Sequence, residues 1–263
     1  MTQLMHSTLP FVRSMRAALG LLAVISLAAC AVPHADVGPD GINDPHEAQN
    51  RKMHAFNRDL DSGGGRGVAA SYVDTVPADV RGTVDNFADN LSVPQTVVNQ
   101  ILQGDLNRAT RNTFRFAINS TLGFGGLADV STPLGLPKDD TDFGETLYVW
   151  GVPEGNYVEL PLVGPSTQRR NMGRFVDLFT DPLGFVLTRQ QRAVGIGSKV
   201  LETVNDRGRF ADSVDSVLHG SADSYAQARI IYLQNRRFEL GDETSGGAVM
   251  DPYDELYGDS DGQ

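Results

Sequence analysis

Apolar positions recur at helical spacing along most of this chain. Asp44 as N-cap, Pro45 at the first helical position and Glu47 three residues after the cap predict a helix start, and Ala48, Met53, Phe56 and Leu60 then share a face until Gly63-Gly64-Gly65 ends it. After Pro77, Val80, Val84, Phe87 and Leu91 recur at i, i+4, i+7 and i+11, the spacing of a half-buried helix. Ser92 and Pro94 predict a restart, in a segment that carries Val97, Val98, Ile101 and Leu102 and stops at Gly104. Asp105 caps a further helix holding Leu106, Ala109, Thr113, Phe116 and Ala117. Similar spacing marks Met172 to Phe179, Ile196 to Val204, Phe210 to Leu218 and Tyr225 to Leu233.

The middle of the chain departs from this pattern. Residues 120–136 are apolar but rich in glycine, and residues 143–163 carry two apolar runs around Pro153-Glu154-Gly155-Asn156. The second run reads as a strand, with Leu147 to Val152 opposite it in a hairpin and Pro161 placing it at an edge. The fold class expected is all-α: a bundle of short amphipathic helices with one small apolar hairpin insertion.

The ends of the chain carry different signals. Arg13 and Arg16 precede the apolar run Ala17 to Ala29, the layout of a secretory signal. The apolar stretch to Val32 covers 16 residues, shorter than the ~20 that a membrane-spanning helix needs. It ends in Leu27-Ala28-Ala29-Cys30, which resembles a bacterial lipobox, and Cys30 is the only cysteine in 263 residues. Lipidation of Cys30 by diacylglycerol and an N-acyl chain is therefore expected, and several acyl chains make attachment close to permanent. Ala31 after that cysteine resembles the outer-membrane-sorted type. These signals divide the chain into a signal peptide (1–29), a lipidated tether (30–42), a helical domain (43–240) and an acidic disordered tail (241–263).

Charge narrows the partners. The chain has 22 Lys+Arg against 33 Asp+Glu, a net charge of -11; removing a signal with two arginines and no acid makes it -13. That is the wrong sign for phosphate tracking, so nucleic acid is not expected as a partner. Attraction to anionic headgroups does not hold the chain on a membrane either.

Catalytic and metal chemistry find little support. His46 and His54 are eight residues apart, too far for a helical zinc pair, and read as solvated helix residues. Gly164-Pro165-Ser166 is the nearest approach to a nucleophile elbow, but Gln168 stands where glycine is needed, and Ser166 reads better as a helix N-cap. Gly123, Gly125 and Gly126 lack the lysine of a phosphate loop, so close packing or a membrane-facing bend explains them better. Asp139, Asp140 and Asp142 do not have calcium-loop spacing and read as a solvated turn with a helix cap. No metal and no cofactor are expected, and the chain is not expected to be an enzyme.

Asn43-Asp44-Pro45 with Phe56-Asn57, Asn86-Phe87, Asn90-Leu91 before Pro94, Leu102-Gln103-Gly104, Arg115-Phe116 with Asn119, and Gly123 to Asp129 (GFGGLAD) follow one another in order. They continue through Asp142-Phe143-Gly144, Trp150-Gly151, Leu160-Pro161-Leu162, Gly164-Pro165-Ser166 and Asp251-Pro252-Tyr253. In this set the chain resembles the MlaA/VacJ family of outer-membrane lipoproteins over nearly its whole mature length. The resemblance implies a helical ring in the inner leaflet of the outer membrane, facing the periplasm, with an amphipathic channel that removes mislocalised phospholipids from the outer leaflet. It also implies association with trimeric porins and delivery to a periplasmic carrier resembling MlaC. Energy comes from elsewhere, since no nucleotide-binding loop is present.

Gly63 to Gly67, Ala88, Gly155-Asn156 and Arg169-Arg170 depart from the usual pattern of relatives. Phe143, Leu147, Trp150, Tyr157, Leu160 and Leu162 are expected to line the lipid path or its gating hairpin, with Trp150, Tyr148 and Tyr157 suited to a membrane interface. Two other readings compete: a structural lipoprotein that scaffolds a porin assembly, and a lipid ester hydrolase using Ser166.

Overall fold

The computed structural model describes residues 42–241. The signal, Cys30 and the acidic tail from residue 242 lie outside the described residues, as does the tether apart from Ile42. Helix α1 (Glu47–Leu60) passes through a π-type turn (Asp61–Gly65) into α2 (Arg66–Thr75), and α3 (Ala78–Leu102) packs against α4 (Leu106–Thr121). A glycine-rich loop and a 3-10 turn (Thr132–Leu134) lead to α5 (Phe143–Val149). Strands β1 (Tyr157–Leu160) and β2 (Gly164–Thr167) then pair antiparallel with Tyr157 opposite Thr167. Helices α6 (Gln168–Thr180), α7 (Leu183–Val186), α8 (Arg189–Arg209), α9 (Ala211–Leu218) and α10 (Ser224–Glu239) complete the order. Among the described residues the fold is mostly helical with one two-stranded sheet, as the spacing predicts.

Several local expectations are corrected. Asp44 does not cap α1; its buried carboxylate accepts from Arg229 Nη1 (2.7 Å), Asn50 Nδ2 (2.8 Å) and the Tyr225 hydroxyl, and Pro45 and His46 form a turn before the helix. The three glycines do not end the first helix but carry a kink, where Gly64 is extended (φ 171°). Pro94 starts no new helix: α3 runs straight through it. Its missing N–H leaves one carbonyl a turn earlier without the usual partner, a cost that α3 meets through packing on both α4 and α8.

The hairpin is also relocated. Leu147 to Val149 belong to α5, whose N-cap Asp142 accepts from the Glu145 N–H (2.9 Å). Asp-x-x-Glu is a capping signal that outweighs the apolar run. The partner of β1 is Gly164–Thr167, and Pro161 sits in the connecting turn instead of the strand. Ser166 is consequently a buried strand residue, and Thr167 caps α6 through the Arg170 N–H (3.3 Å). Ile42 is not tether: it is buried with Tyr157, Tyr225 and Leu233, while the neighbouring Asn43 carbonyl accepts from the Tyr157 N–H (2.8 Å).

The largest difference concerns which helix faces are buried. In α4 the buried side chains are Ala109, Asn112, Arg115 and Asn119, whereas Leu106 and Phe114 are exposed. In α1 they are Asn50 and His54, whereas Phe56 and Leu60 are exposed. In α6 the buried residues are Arg169 and Gly173, whereas Phe175, Leu178 and Phe179 are exposed. Among the described residues, buried polar and charged side chains outnumber buried apolar ones, and Phe124 (81% exposed), Phe185 (80%) and Phe238 (85%) stand on the outside. This inverts the rule for a water-soluble core.

Candidate functional site

The polar interior is held by specific pairs. Arg115 donates to Asp129 (2.9 Å), Thr132 Oγ1 (2.9 Å) and the Leu136 carbonyl (2.6 Å), and Asn119 Oδ1 accepts the N–H groups of Val130 and Ser131 (3.0 Å each). These bonds fold the glycine-rich loop back onto α4. Gly126 adopts φ 95° against Asn90, whose side chain lies 2.5 Å from where a Cβ would stand. Close packing thus accounts for that glycine. Burial would raise the Asp129 carboxyl, but hydrogen bonds from Thr132, Arg115 and Asn119 hold it at about 2.

Asp142 is the second node. It caps α5 and pairs with Arg170 Nη1 (2.6 Å) and Arg236 Nη2 (2.9 Å), so it is not the solvated turn residue that spacing suggests. Burial alone would raise its carboxyl; the two guanidinium groups outweigh that and lower it. Asp139 pairs with Arg108 (2.6 Å) and Arg111 (3.2 Å), leaving no free acidic cluster there.

His54 is likewise not solvated. Buried at 4% exposure, it lies 3.0 Å from Ser224 Oγ and 3.3 Å from Glu159 Oε1, and Glu159 also takes the Tyr157 hydroxyl. Ser224, His54 and Glu159 have the order of a nucleophile relay. Ser224 is itself buried and none of the three lines the cavity described below, so the relay ties α10, α1 and β1 together. Ser166 Oγ donates to Asn171 Oδ1 (2.6 Å), so its hydroxyl is engaged by an amide.

A cavity of about 600 Å³ opens between α3, α6, α7 and α8. Leu91, Leu178, Leu183, Leu187, Ile196 and Val200 form its apolar walls, and Gln95, Asp177, Asp181, Arg192 and Lys199 bring polar groups to it. Its size lies within the ~300–1,000 Å³ usual for ligand pockets, and its lining of apolar walls with few polar groups is the usual kind. Asp177 is its anchor: Oδ1 accepts from Gln95 (2.5 Å) and Asn99 (3.0 Å), and Oδ2 from the Phe143 N–H (3.1 Å). One carboxylate therefore joins α3, α5 and α6 beside an apolar space.

None of the six residues expected on a lipid path lines this cavity. Phe143 and Leu147 are buried on α5, and Trp150 (53% exposed) ends that helix, donating Nε1–H to the Leu102 carbonyl (3.0 Å) and meeting Phe143 edge to face at 5.6 Å. Tyr157 is 1% exposed, Leu160 ends β1 half-buried, and Leu162 (77% exposed, φ 65°) stands at the hairpin tip. Phe143 comes nearest in effect, because its backbone N–H holds Asp177. Sequence reading missed Gln95, Asp177 and Lys199; the one available signal was polar residues interrupting otherwise apolar helical stripes.

Fold and cavity define a class: a helical protein with a hydrogen-bonded polar interior, large apolar side chains exposed on several helix faces and an open apolar pocket, suited to surroundings of lipid. A family model described as MlaA lipoprotein matches residues 42–239, and the chain belongs to this family. The intermembrane phospholipid transport system lipoprotein MlaA of Escherichia coli K12 is 35% identical over 221 residues, covering 82% of this chain and 85% of that protein. Its namesake in Haemophilus influenzae is 28% identical over 226 residues, covering 84% and 89%. An uncharacterised protein of Rickettsia felis is 35% identical over 188 residues, covering 72% and 74%. A solved structure described as "Structural basis for maintenance of bacterial outer membrane lipid asymmetry" is similar with a TM-score of 0.66 and 37% identity, covering 75% of this chain and 98% of that one.

Proposed function

We propose that this chain is an outer-membrane lipoprotein of intermembrane phospholipid transport, in which the cavity between α3, α6, α7 and α8 gives a departing phospholipid an apolar path. The observation that carries the reading is the inversion of the helices around an open apolar cavity. Relatives named for phospholipid transport support it. So does the energetics: seating Phe175, Leu178, Phe179, Phe185 and Val186 in lipid, all exposed here, gives on the order of 10 kcal/mol at about 1.5–3 kcal/mol per side chain. That holds the protein in a membrane whatever its acidic charge. No described helix is long and apolar enough to cross a membrane, which fits helices lying within one leaflet.

The finer parts of the reading are anchoring through a lipidated Cys30, a periplasmic face, trimeric porins as membrane partners and a soluble periplasmic carrier as recipient. The exposed apolar helices suit a porin's lipid-facing wall. A polar-framed apolar path lowers the barrier for a headgroup without bond chemistry, so no catalytic residue is needed.

Deleting the protein in its own cell is expected to put phospholipid on the cell surface, read by labelling surface lipid, and the wild-type chain restores the barrier. Ile196→Trp and Val200→Trp, which fill the cavity, and Cys30→Ala are expected to fail at normal protein level. Full rescue by both cavity-filling variants overturns the path. Normal surface lipid on deletion, with a porin still captured by the protein, favours the scaffold reading instead.

A further inference from the structure

Arg174 stands one helical turn before Asp177 and Leu178 on α6, and both of those residues line the cavity. Residues three and four apart share a helix face about 5 Å apart along the axis, so Arg174, which does not itself line the cavity, stands one turn beyond its α6 wall. Its surroundings are cationic. Arg170 and Arg236 share Asp142, and Arg236 also takes Glu239 (3.0 Å), so the acids of this cluster are already engaged.

Arg174 has no such partner. Its Nη1 is fully buried and makes no hydrogen bond, and the same is true of the Tyr232 hydroxyl on α10. The two groups are within electrostatic reach of each other, and burial followed by the charge of Arg170 lowers the Arg174 guanidinium. The Asp142 carboxylate reaches Arg174 through space but is already bonded to two other arginines, so a buried guanidinium nitrogen and a buried hydroxyl are each left without a hydrogen-bond partner, which is unfavourable and which packing of the stem alone does not explain. Two donors beside a surplus positive charge suit an anion with at least two free oxygens, and a guanidinium fits phosphate geometry.

We infer that Arg174 and Tyr232 form a docking point for the phosphate of a lipid whose acyl chains occupy the neighbouring cavity. This rests on the lipid path proposed above and adds what orients the lipid in it. The headgroup phosphate sits toward α10 and the chains lie along Leu178, Ile196 and Val200. Arg170 and Arg236, held by Asp142, keep the site positive without being consumed by the ligand.

The test uses the full chain purified in mild detergent, titrated with dihexanoyl phosphatidylglycerol, with dihexanoylglycerol lacking the phosphate, and with sodium phosphate alone. The wild type is expected to bind the phospholipid more tightly than the diacylglycerol. Arg174→Gln loses roughly 10- to 100-fold for the phospholipid and nothing for the diacylglycerol, Tyr232→Phe loses roughly 2- to 10-fold, and Arg174→Lys recovers most of the affinity. Unchanged phospholipid binding in Arg174→Gln, with the diacylglycerol still bound, overturns the docking point and leaves the cavity reading intact. Equal loss of both ligands makes Arg174 a packing residue and also overturns it. Arg174-dependent binding of inorganic phosphate as tight as that of the phospholipid reassigns the site to the free anion. A wild type that binds neither lipid overturns the cavity reading itself.

Discussion

The junction around Tyr157 and the cavity between α3, α6 and α8 are built from opposite materials. At the junction, Tyr157 meets Tyr225 and Tyr232 edge to face at 5.9 and 6.5 Å, and around them Asp44, Asn50, His54, Glu159 and Arg229 bond to one another or to the strand. At the cavity, aliphatic side chains face open space and Asp177 is the chief polar tie between helices. Shape is thus fixed where polar groups satisfy one another, and the apolar surfaces are left available. A hydrogen-bonded interior holds its geometry whether water or lipid surrounds it, because its bonds are directional and internal.

The strongest way to break this contrast is Asp44→Ala. It removes the buried carboxylate that joins the chain before α1 to Tyr225 and Arg229 on α10, and breaking a buried ion pair costs about 3–5 kcal/mol. The denaturant midpoint of the detergent-solubilised chain checks this, and an unchanged midpoint means the junction does not carry the fold.

Next in size is Gly173→Ala, at the seam between the two regions. A Cβ there would stand 2.2 Å from the Gly144 backbone nitrogen, so α5 and α6 must separate at about 1–3 kcal/mol. Because α5 holds Asp177 through Phe143, the same variant is expected to weaken lipid binding as well as lower the thermal midpoint. Loss of stability with unaltered lipid binding would uncouple junction from cavity.

The smallest effect is a pH dependence. Asp129 has its folded pKa lowered to about 2 from 3.8, so it adds stability that is complete above the unfolded value and is lost as pH falls through about 2. The pH-dependent part of the stability difference between wild type and Asp129→Asn is therefore expected to be flat above pH 5 and to shrink from about pH 4 to 2. Thermal melts across that range read it, and a difference that grows on acidification contradicts the assigned partners.

The placement of the longer helices was legible because spacing at 3.6 residues records a face whatever lies against it, whereas α2, α5 and α7 were not read as helices and α3 was read as two. The direction of that face was not legible. Leu106, Phe114, Phe175 and Leu178 give the same periodicity whether the apolar stripe turns toward a core or toward lipid, and the solvent that decides is not written in the spacing. Pro94 misled because a proline is read locally, whereas α3 is supported along its length by two neighbouring helices. Asp44 misled because a cap and a buried ion-pair partner look identical until Arg229, 185 residues later, is seen beside it. The family motifs fared better: Gly126 and Asp129 of the glycine-rich run, and Asp142 before Phe143, all hold backbone positions that shape the site.

The inversion has a consequence for how the chain comes to be folded. In water, collapse would gather the phenylalanines and leucines inward and turn the asparagines and arginines out, a packing that competes with the native one. Native contacts become mutually supportive only once the apolar stripes have somewhere else to go, so for this sequence the landscape acquires its funnel from the medium. Its final shape is then a property of the chain and of the medium that covers its apolar stripes, taken together.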